Sequence, residues 1–321
     1  MRKGGAMSFS QEVKEELLSV TGSARHCLLA ELAAIFCFCG FVENAENNRP
    51  TIGIFTENKT ISIKCFTLLK KTFNIYSSVS VRKSSQRSAG SVYTVKVENS
   101  RQAEEVLLAL KLLPLPKGMG AVKKTTDLVL LKNACCKRAY IRGAYLVSGS
   151  MSNPEKGYHL EFVCGAEEQA EMLIHILKEL SIEAKEVLRK KYFVVYIKDG
   201  EAIVELLGLM GAHRALMELE STRVVKEVRN SINRRVNCEA ANITKTVNAA
   251  AKQVEDIMYL KEKVGFSGMP ESLRQMAKLR LDHPDATLKE LSELSDPPVG
   301  KSGVNHRLRK LSELAERLRL N

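Results

Sequence analysis

The chain contains an internal repeat, and this feature limits its possible folds more than any single motif. The stretch C-L-L-A-E-L-A-A-I-F-C-F-C-G (Cys27 to Gly40) aligns with C-K-R-A-Y-I-R-G-A-Y-L-V-S-G (Cys136 to Gly149), and cysteine, alanine and glycine coincide at a constant offset of 109 residues. Each copy must therefore form the same supersecondary unit.

The correspondence continues through alternating strands and amphipathic helices after the first helix. The strand T-I-G-I-F matches Y-H-L-E-F, and the helix E-V-L-L-A-L-K-L-L matches A-I-V-E-L-L-G-L-M at an offset that has fallen to about 97, because the second copy has shorter hairpin loops. Each copy reads as αββαββα, at about residues 24–113 and 133–211. The prediction is an α+β, pseudo-symmetric domain over residues 8–220, with its helices on one face of antiparallel sheets.

Small residues recur on the first helix of each copy. They are Ala33, Ala34 and Gly40 in the first copy and Gly143, Ala144 and Gly149 in the second. Small side chains let two helices approach closely, so these two helices are predicted to meet along a pseudo-twofold axis.

Composition favours a DNA-binding protein without a metal or cofactor. The eight cysteines stand at positions 27, 37, 39, 65, 135, 136, 164 and 238 without a C-x-x-C pair, and the six histidines show no ligand spacing. Free buried thiols are therefore expected.

The formal net charge of +12 indicates an anionic partner, either nucleic acid or a membrane surface. No membrane-spanning run is present, which favours a cytoplasmic protein; Met1 to Ala6 reads as an extended start or a remnant.

A basic segment follows the repeats. Residues 221–268 are predicted to be a helical connector, and residues 221–252 carry seven Lys and Arg against two acidic residues. The charged face is either a solvated helix surface or a phosphate-binding one. The candidate phosphate contacts are Arg229, Asn230, Asn233, Arg234 and Arg235.

The last segment, residues 269–321, is predicted to be an all-α helix-turn-helix domain. One helix starts at Pro270, a second at Thr287 with Leu288, Leu291 and Leu294 facing inward, and a third buries a stripe that ends at Leu318. Asn and Arg side chains on the first turns of a recognition helix pair with base edges. The candidate DNA-binding residues are Lys301, Ser302, Asn305, His306, Arg307, Arg309 and Lys310. The alternative is a three-helix bundle whose polar face contacts only solvent.

The repeated domain resembles the LAGLIDADG homing-endonuclease fold. In that family the first helix of each copy ends in an acidic turn whose carboxylates hold the divalent metals that cleave DNA. On the family pattern, Cys39 and Ser148 occupy the metal-binding positions, and Cys37 and Leu146 the preceding acidic ones. Since Mg²⁺ prefers carboxylate ligands, the resemblance implies that nuclease activity is lost and that the protein is not an enzyme. The alternative is a metal-dependent endonuclease that uses Glu43 or Glu155 from beyond the turns.

The stretches R-N-S-I-N-R-R-V-N-C-E-A-A-N and K-S-G-V-N-H-R-L-R-K look very like the WhiA family of bacterial regulators. The resemblance covers nearly the whole chain from Met7. It implies a nucleoid-associated, sequence-specific transcription regulator that binds promoter double-stranded DNA and is linked to sporulation, cell division and chromosome segregation. The LAGLIDADG-like domain would then be a scaffold for DNA shape or for a protein partner.

Overall fold

The computed structural model describes residues 7–45, 49–83, 91–113 and 122–320. The chain divides into two compact units, Met1–Val225 and Lys226–Asn321. The segment from Met1 to Ala6 lies outside the described residues.

The first unit contains a leading helix and two copies of one αββαββα unit, as predicted. The leading helix is α1 (Phe9–Ser19), which begins after its N-cap Ser8. The first copy comprises α2 (Arg25–Cys39), β1 (Gly40–Ala45), β2 (Arg49–Thr56), α3 (Lys59–Phe73), β3 (Ser78–Lys83), β4 (Ser91–Val97) and α4 (Ser100–Ala109). The second comprises α5 (Ala134–Ser148), β5 (Gly149–Met151), β6 (Leu160–Cys164), α6 (Glu167–Glu179), β7 (Lys185–Arg189), β8 (Tyr192–Ile197) and α7 (Gly200–Met210), after a short 3₁₀ turn at Leu128–Leu131.

Each copy forms a four-stranded antiparallel sheet, in the orders β1-β2-β4-β3 and β5-β6-β8-β7. Ile52 pairs with Val97 in the first sheet, and Leu160 pairs with Ile197 at the equivalent place in the second. The hairpin β3–β4 has a connection of seven residues, 84–90, whereas β7–β8 has only Lys190 and Lys191 between its strands. This difference accounts for five residues of the fall in the repeat offset.

Helices α2 and α5 pack against each other through their small residues, which confirms that prediction. A Cβ atom placed on Gly143 would lie 2.5 Å from the backbone oxygen of Glu31 and 3.0 Å from Cβ of Ala34. Only glycine permits so close an approach of the two backbones. Gly40 and Gly149 then end the two helices and begin β1 and β5.

A buried ionic cluster lies beside this helix contact. The carboxylate of Glu31 is fully buried and lies 3.1 Å from Nζ of Lys64 and 2.8 Å from Nη2 of Arg142. Burial lowers the pKa of Lys64, and the Glu31 carboxylate opposes this shift. Lys64 also donates to the backbone oxygen of Val20 after α1, and Arg142 donates to that of Met210 at 3.2 Å. One carboxylate thereby links several elements of the first unit.

The remaining chain is helical. It comprises α8 (His213–Lys263), a 3₁₀ turn at Phe266–Gly268, α9 (Glu271–Asp282), α10 (Leu288–Leu294) and α11 (Lys301–Leu320). Helix α8 includes the connector and starts earlier than residue 221, because the Glu16 carboxylate accepts hydrogen bonds from the backbone N–H groups of Arg214 and Ala215 at its N-terminus.

The second unit has its own apolar core. It is built from Ile257, Leu260, Met269, Leu273, Met276, Ala277, Leu291, Val304, Leu308, Leu311 and Ala315. Because Ile257 and Leu260 of α8 belong to this core, the unit extends upstream of residue 269. Two expectations were wrong: Leu294, the last residue of α10, is 50% exposed, and Leu318, near the end of α11, is 38% exposed. Both lie at or near the C-terminal ends of their helices.

Candidate DNA-binding surface

The turn between α10 and α11 fixes the start of the candidate recognition helix. Thr287 caps α10 by accepting from the N–H of Glu290, whose carboxylate accepts from the N–H of Thr287, and these hydrogen bonds lower the pKa of Glu290. At the other end, the Ser292 hydroxyl donates to the Val299 oxygen at 2.7 Å, and the Ser295 hydroxyl accepts from the Val299 N–H at 3.0 Å. Side chains of α10 and its C-cap thus satisfy both backbone groups of Val299.

Glycine is required inside the first turn of α11. A Cβ atom on Gly303 would lie 2.5 Å from Cγ1 of Val299, so the Val299 side chain packs directly over the helix start. Valine is short and stiff at χ1, so it cannot easily move aside. This contact sets where α11 leaves the turn.

Helix α11 has one buried and one exposed face over its first three turns. Val304, Leu308 and Leu311 are at most 1% exposed and seat the helix on the core. The predicted residues Lys301, Ser302, Asn305, His306, Arg309 and Lys310 are all exposed. Spacings of three and four residues place Ser302, Asn305, His306 and Arg309 on one side, as sequence periodicity indicated. The exposed face therefore carries donors and acceptors suited to base edges and phosphates.

Arg307 differs from the other predicted residues of α11. It is only half-buried and lines a depression with Gln275, Lys278, Asp282 and Asp296. Its position next to α9 and the α10–α11 turn points to packing within the domain rather than to the exposed face. The grouping of Arg307 with the base-reading residues remains a prediction.

Arg309 is held in place by its own helix. Its Nε lies 2.9 Å from Oε1 of Glu313, one turn further along, and its side chain is 77% exposed. An exposed pair at this spacing contributes only about 0.3–0.5 kcal/mol. When DNA binds, Arg309 can therefore leave Glu313 for a guanine edge or a phosphate at little cost in free energy. Before binding, the ion pair keeps the guanidinium extended.

The connector part of α8 exposes its predicted phosphate contacts. Residues 227–249 are all exposed. At 100° per residue, Arg229, Asn230, Asn233 and Arg234 fall on one side of the helix. Arg235 falls on another side, next to exposed Ile232 and Val236, and pairs with Glu239 at 3.1 Å. Four of the five residues thus share a face, and all five remain candidates.

The positions that hold metals in the resembling nucleases carry neutral groups here. The Cys39 thiol donates to the Ile35 oxygen at 3.2 Å, and the Ser148 hydroxyl donates to the Ala144 oxygen at 3.0 Å, each within its own helix. Burial raises the pKa of Cys39 to about 12, so its thiol stays uncharged at neutral pH. Neither group supplies the negative charge that Mg²⁺ requires.

The nearby carboxylates are placed elsewhere. Glu43 forms an ion pair with Lys96 at 2.6 Å across the first sheet. Glu155 is exposed in the loop after β5, where its backbone N–H donates to the Asn153 side chain. Glu161 on β6 contacts the strand that follows α5: its carboxylate accepts a hydrogen bond from the Ser150 hydroxyl at 3.2 Å, and sequence reasoning did not single it out.

Sequence reasoning also missed a cluster at the opposite ends of α2 and α5. His26, Cys27, Cys135 and Cys136 converge there, although their spacing along the chain matches no metal-binding motif. The signal was the repeat itself, because an offset of 109 pairs His26 with Cys135 and Cys27 with Cys136.

Comparisons with known proteins match the order of domains along the chain. Family models match residues 25–113 (WhiA N-terminal LAGLIDADG-like domain), 137–229 (WhiA LAGLIDADG-like domain) and 232–315 (WhiA C-terminal HTH domain). A probable cell division protein WhiA from Lachnoclostridium phytofermentans is 48% identical over 313 residues, covering 98% of this chain and 100% of that protein.

The chain belongs to the WhiA family. A second WhiA relative, the probable cell division protein from Alkaliphilus oremlandii, is 44% identical and covers 97% of this chain and 98% of its own. The crystal structure of full-length DUF199/WhiA from Thermotoga maritima superposes with a TM-score of 0.59 at 26% identity, covering 97% of this chain and 99% of that one. The predicted family and fold, a LAGLIDADG-like domain followed by a helix-turn-helix domain, are confirmed.

The WhiA match also fixes what the helical second unit is: a DNA-binding helix-turn-helix domain. In the described part of the chain, no helix combines the length and apolar character needed to cross a membrane.

Proposed function

We propose that the chain is a sequence-specific transcription regulator that binds promoter DNA through α11 and has lost nuclease activity. The observation that carries the proposal is the exposed face of α11, which carries Ser302, Asn305, His306 and Arg309. The opposite face of the helix is buried in the core of the second unit. Lys301 at the helix start and Lys310 supply positive charge for phosphates on either side.

The names of the relatives support a proposal for the cellular role. The WhiA proteins of Lachnoclostridium phytofermentans and Alkaliphilus oremlandii are described as probable cell division proteins. We infer that this chain controls genes of cell division and chromosome segregation, of sporulation, or of both, and that it acts on the nucleoid in the cytoplasm. Its high net positive charge, +12, favours a polyanionic partner.

The connector of α8 is proposed to contact phosphates through Arg229, Asn230, Asn233 and Arg234, with Arg235 as a weaker candidate because of its pair with Glu239. Contacts of this kind fix position and add affinity without reading sequence. The LAGLIDADG-like domain is proposed to serve as a scaffold, for DNA shape or for a protein partner.

A binding experiment tests the proposed role of α11. Sites would first be selected from random double-stranded DNA with the full chain, and affinities for the selected and a scrambled duplex then measured by fluorescence anisotropy. Arg309→Ala should reduce affinity for the selected duplex by about 1–3 kcal/mol and remove most of the preference over the scrambled one.

Arg317→Ala is the matched control. It removes the same charge from the same helix, about 12 Å beyond Arg309 at 1.5 Å per residue, and should leave the preference intact. An unchanged preference in Arg309→Ala, or an equal loss in both variants, would refute recognition by the first turns of α11.

A further inference from the structure

Four metal-binding side chains meet where the two repeats begin. His26 and Cys27 lie in the first turn of α2, and Cys135 and Cys136 lie in the first turn of α5. Their candidate ligand atoms, one imidazole nitrogen and three sulfurs, all lie within 4.8 Å of one another. Among the described residues this is the one such group of histidine, cysteine and acidic side chains.

The distances suit a tetrahedral ion. Nδ1 of His26 lies 3.1 Å from Sγ of Cys136, 3.4 Å from Sγ of Cys27 and 3.9 Å from Sγ of Cys135. In a tetrahedral zinc site with Zn–S of about 2.3 Å and Zn–N of about 2.0 Å, nitrogen and sulfur ligands are roughly 3.5 Å apart. The three nitrogen–sulfur distances therefore lie within about 0.4 Å of the tetrahedral value, and no two of the four ligand atoms are more than 4.8 Å apart.

The backbone around the cluster favours bound thiolates. Neither α2 nor α5 has a side-chain cap: the N-cap residues are Ala24 and Asn133, and no side-chain hydrogen bond is made by either. Cys27 and Cys136 are each the third residue of their helix, so the positive ends of two helix dipoles act on the same group of sulfurs. This partial positive charge offsets the net negative charge of three thiolates around a divalent ion.

The burial pattern gives the site a closed base and an open side. Cys27 and Cys136 are 9% and 2% exposed, whereas His26 and Cys135 are exposed. An ion can therefore reach the cluster without unfolding the domain. Four protein ligands with no position left for water are typical of a structural site rather than a catalytic one.

We propose that His26, Cys27, Cys135 and Cys136 form a four-coordinate site for a thiophilic divalent ion of the zinc class, which ties the first repeat to the second at the start of the α2–α5 contact. Each repeat donates two ligands from equivalent positions. The site lies within the first unit, and the proposal does not depend on the proposed function.

Metal binding by the full chain tests this proposal. Tag-free protein would be reduced, stripped with a chelator and titrated with Co²⁺ and then Zn²⁺ under nitrogen. One Co²⁺ per chain is expected, with the thiolate-to-metal absorption and intense visible bands of tetrahedral sulfur coordination, and Zn²⁺ should displace it. Bound Zn²⁺ should also raise the midpoint of thermal unfolding, because the four ligands converge only in the folded chain.

Variants at the exposed ligands keep the test independent of folding. His26→Ala and Cys135→Ser change solvent-exposed side chains, so both should remain folded by circular dichroism while Zn²⁺ binds at least about 10–100-fold more weakly, the loss typical even for outer-shell changes. Cys238→Ser, which removes an exposed thiol from α8, is the matched control and should bind as the parent does.

Three results would overturn the proposal. The first is the absence of stoichiometric Co²⁺ or Zn²⁺ binding by the reduced chain. The second is unchanged affinity in both His26→Ala and Cys135→Ser. The third is a disulfide between two of these cysteines, seen as the loss of two hydrogens by intact mass in air-oxidised protein whose reduced form binds no metal.

Discussion

The contact between α2 and α5 requires glycine at position 143, because a Cβ atom there would be too close to the backbone of Glu31. Gly143→Ala should lower the free energy of unfolding of the first unit by about 1–3 kcal/mol, since the new methyl group would overlap the Glu31 carbonyl and Ala34. Helix propensity alone predicts the opposite effect on stability, because alanine is favoured over glycine within a helix by roughly 1 kcal/mol. Urea unfolding followed by circular dichroism measures it. Gly157→Ala, where no atom lies within 4 Å of the added Cβ, should stay within about 0.5 kcal/mol of the parent.

Glu31 is the one carboxylate between two buried cations, Lys64 and Arg142. Glu31→Gln leaves both without a counter-charge, and removing one partner of a buried pair costs about 3–5 kcal/mol. We expect a loss of that size in urea unfolding of the first unit. Glu43→Gln breaks the more exposed pair with Lys96 and should cost at most about 1 kcal/mol. Equal effects of the two changes would show that the buried cluster contributes no more than a surface pair.

At the scale of elements, the turn before α11 makes a local prediction. Gly303→Ala should disturb the start of the helix, because the added methyl would meet Val299, and amide hydrogens of residues 301–308 should exchange about tenfold faster or more. The double variant Gly303→Ala/Val299→Ala removes the overlap and should restore much of the protection. Protection that is unchanged in Gly303→Ala, or lost further in the double variant, would contradict the packing described here.

Elements whose side chains repeat with a clear period could be predicted from sequence. The repeat offset predicted both αββαββα units, and the stripe Val304, Leu308 and Leu311 predicted the buried face of α11. Periodicity does not explain a buried charged side chain whose partners are backbone oxygens. Arg280 is 2% exposed because its guanidinium donates to the Pro284 and Ala286 oxygens and closes the turn after α9. No local pattern reveals such backbone partners.

The metal-binding cluster could not be found from local sequence patterns either. His26 and Cys135 are 109 positions apart, so a search for ligands spaced closely along the chain passes over them. Only the superposition of the two copies places them together. Equivalent positions in a pseudo-symmetric fold are neighbours when they lie near its axis, and such pairs should be compared whenever a repeat is found.

For the whole molecule, the proposed function assigns base recognition to the second unit. The fold of the first unit is shared with LAGLIDADG-like domains, yet the groups at the ends of α2 and α5 are a neutral thiol and a hydroxyl that bond within their own helices. An exposed cationic face lies on α11 of the second unit. A fold does not fix a function, and in this chain the chemistry has to be argued from the side chains at each site.

Incubation of the full chain with its selected duplex and Mg²⁺ or Mn²⁺ should therefore leave both strands intact at a large excess of protein. In the described part of the chain, the ends of α2 and α5 carry a thiol and a hydroxyl in place of the carboxylates that would hold a hydrated divalent ion against a scissile phosphate. End-labelled strands on a denaturing gel measure this directly. The Arg309→Ala protein, purified identically, controls for contaminating nucleases, which would cut in both samples. Cleavage by the parent alone that disappears in Glu43→Gln or Glu155→Gln would restore the endonuclease alternative.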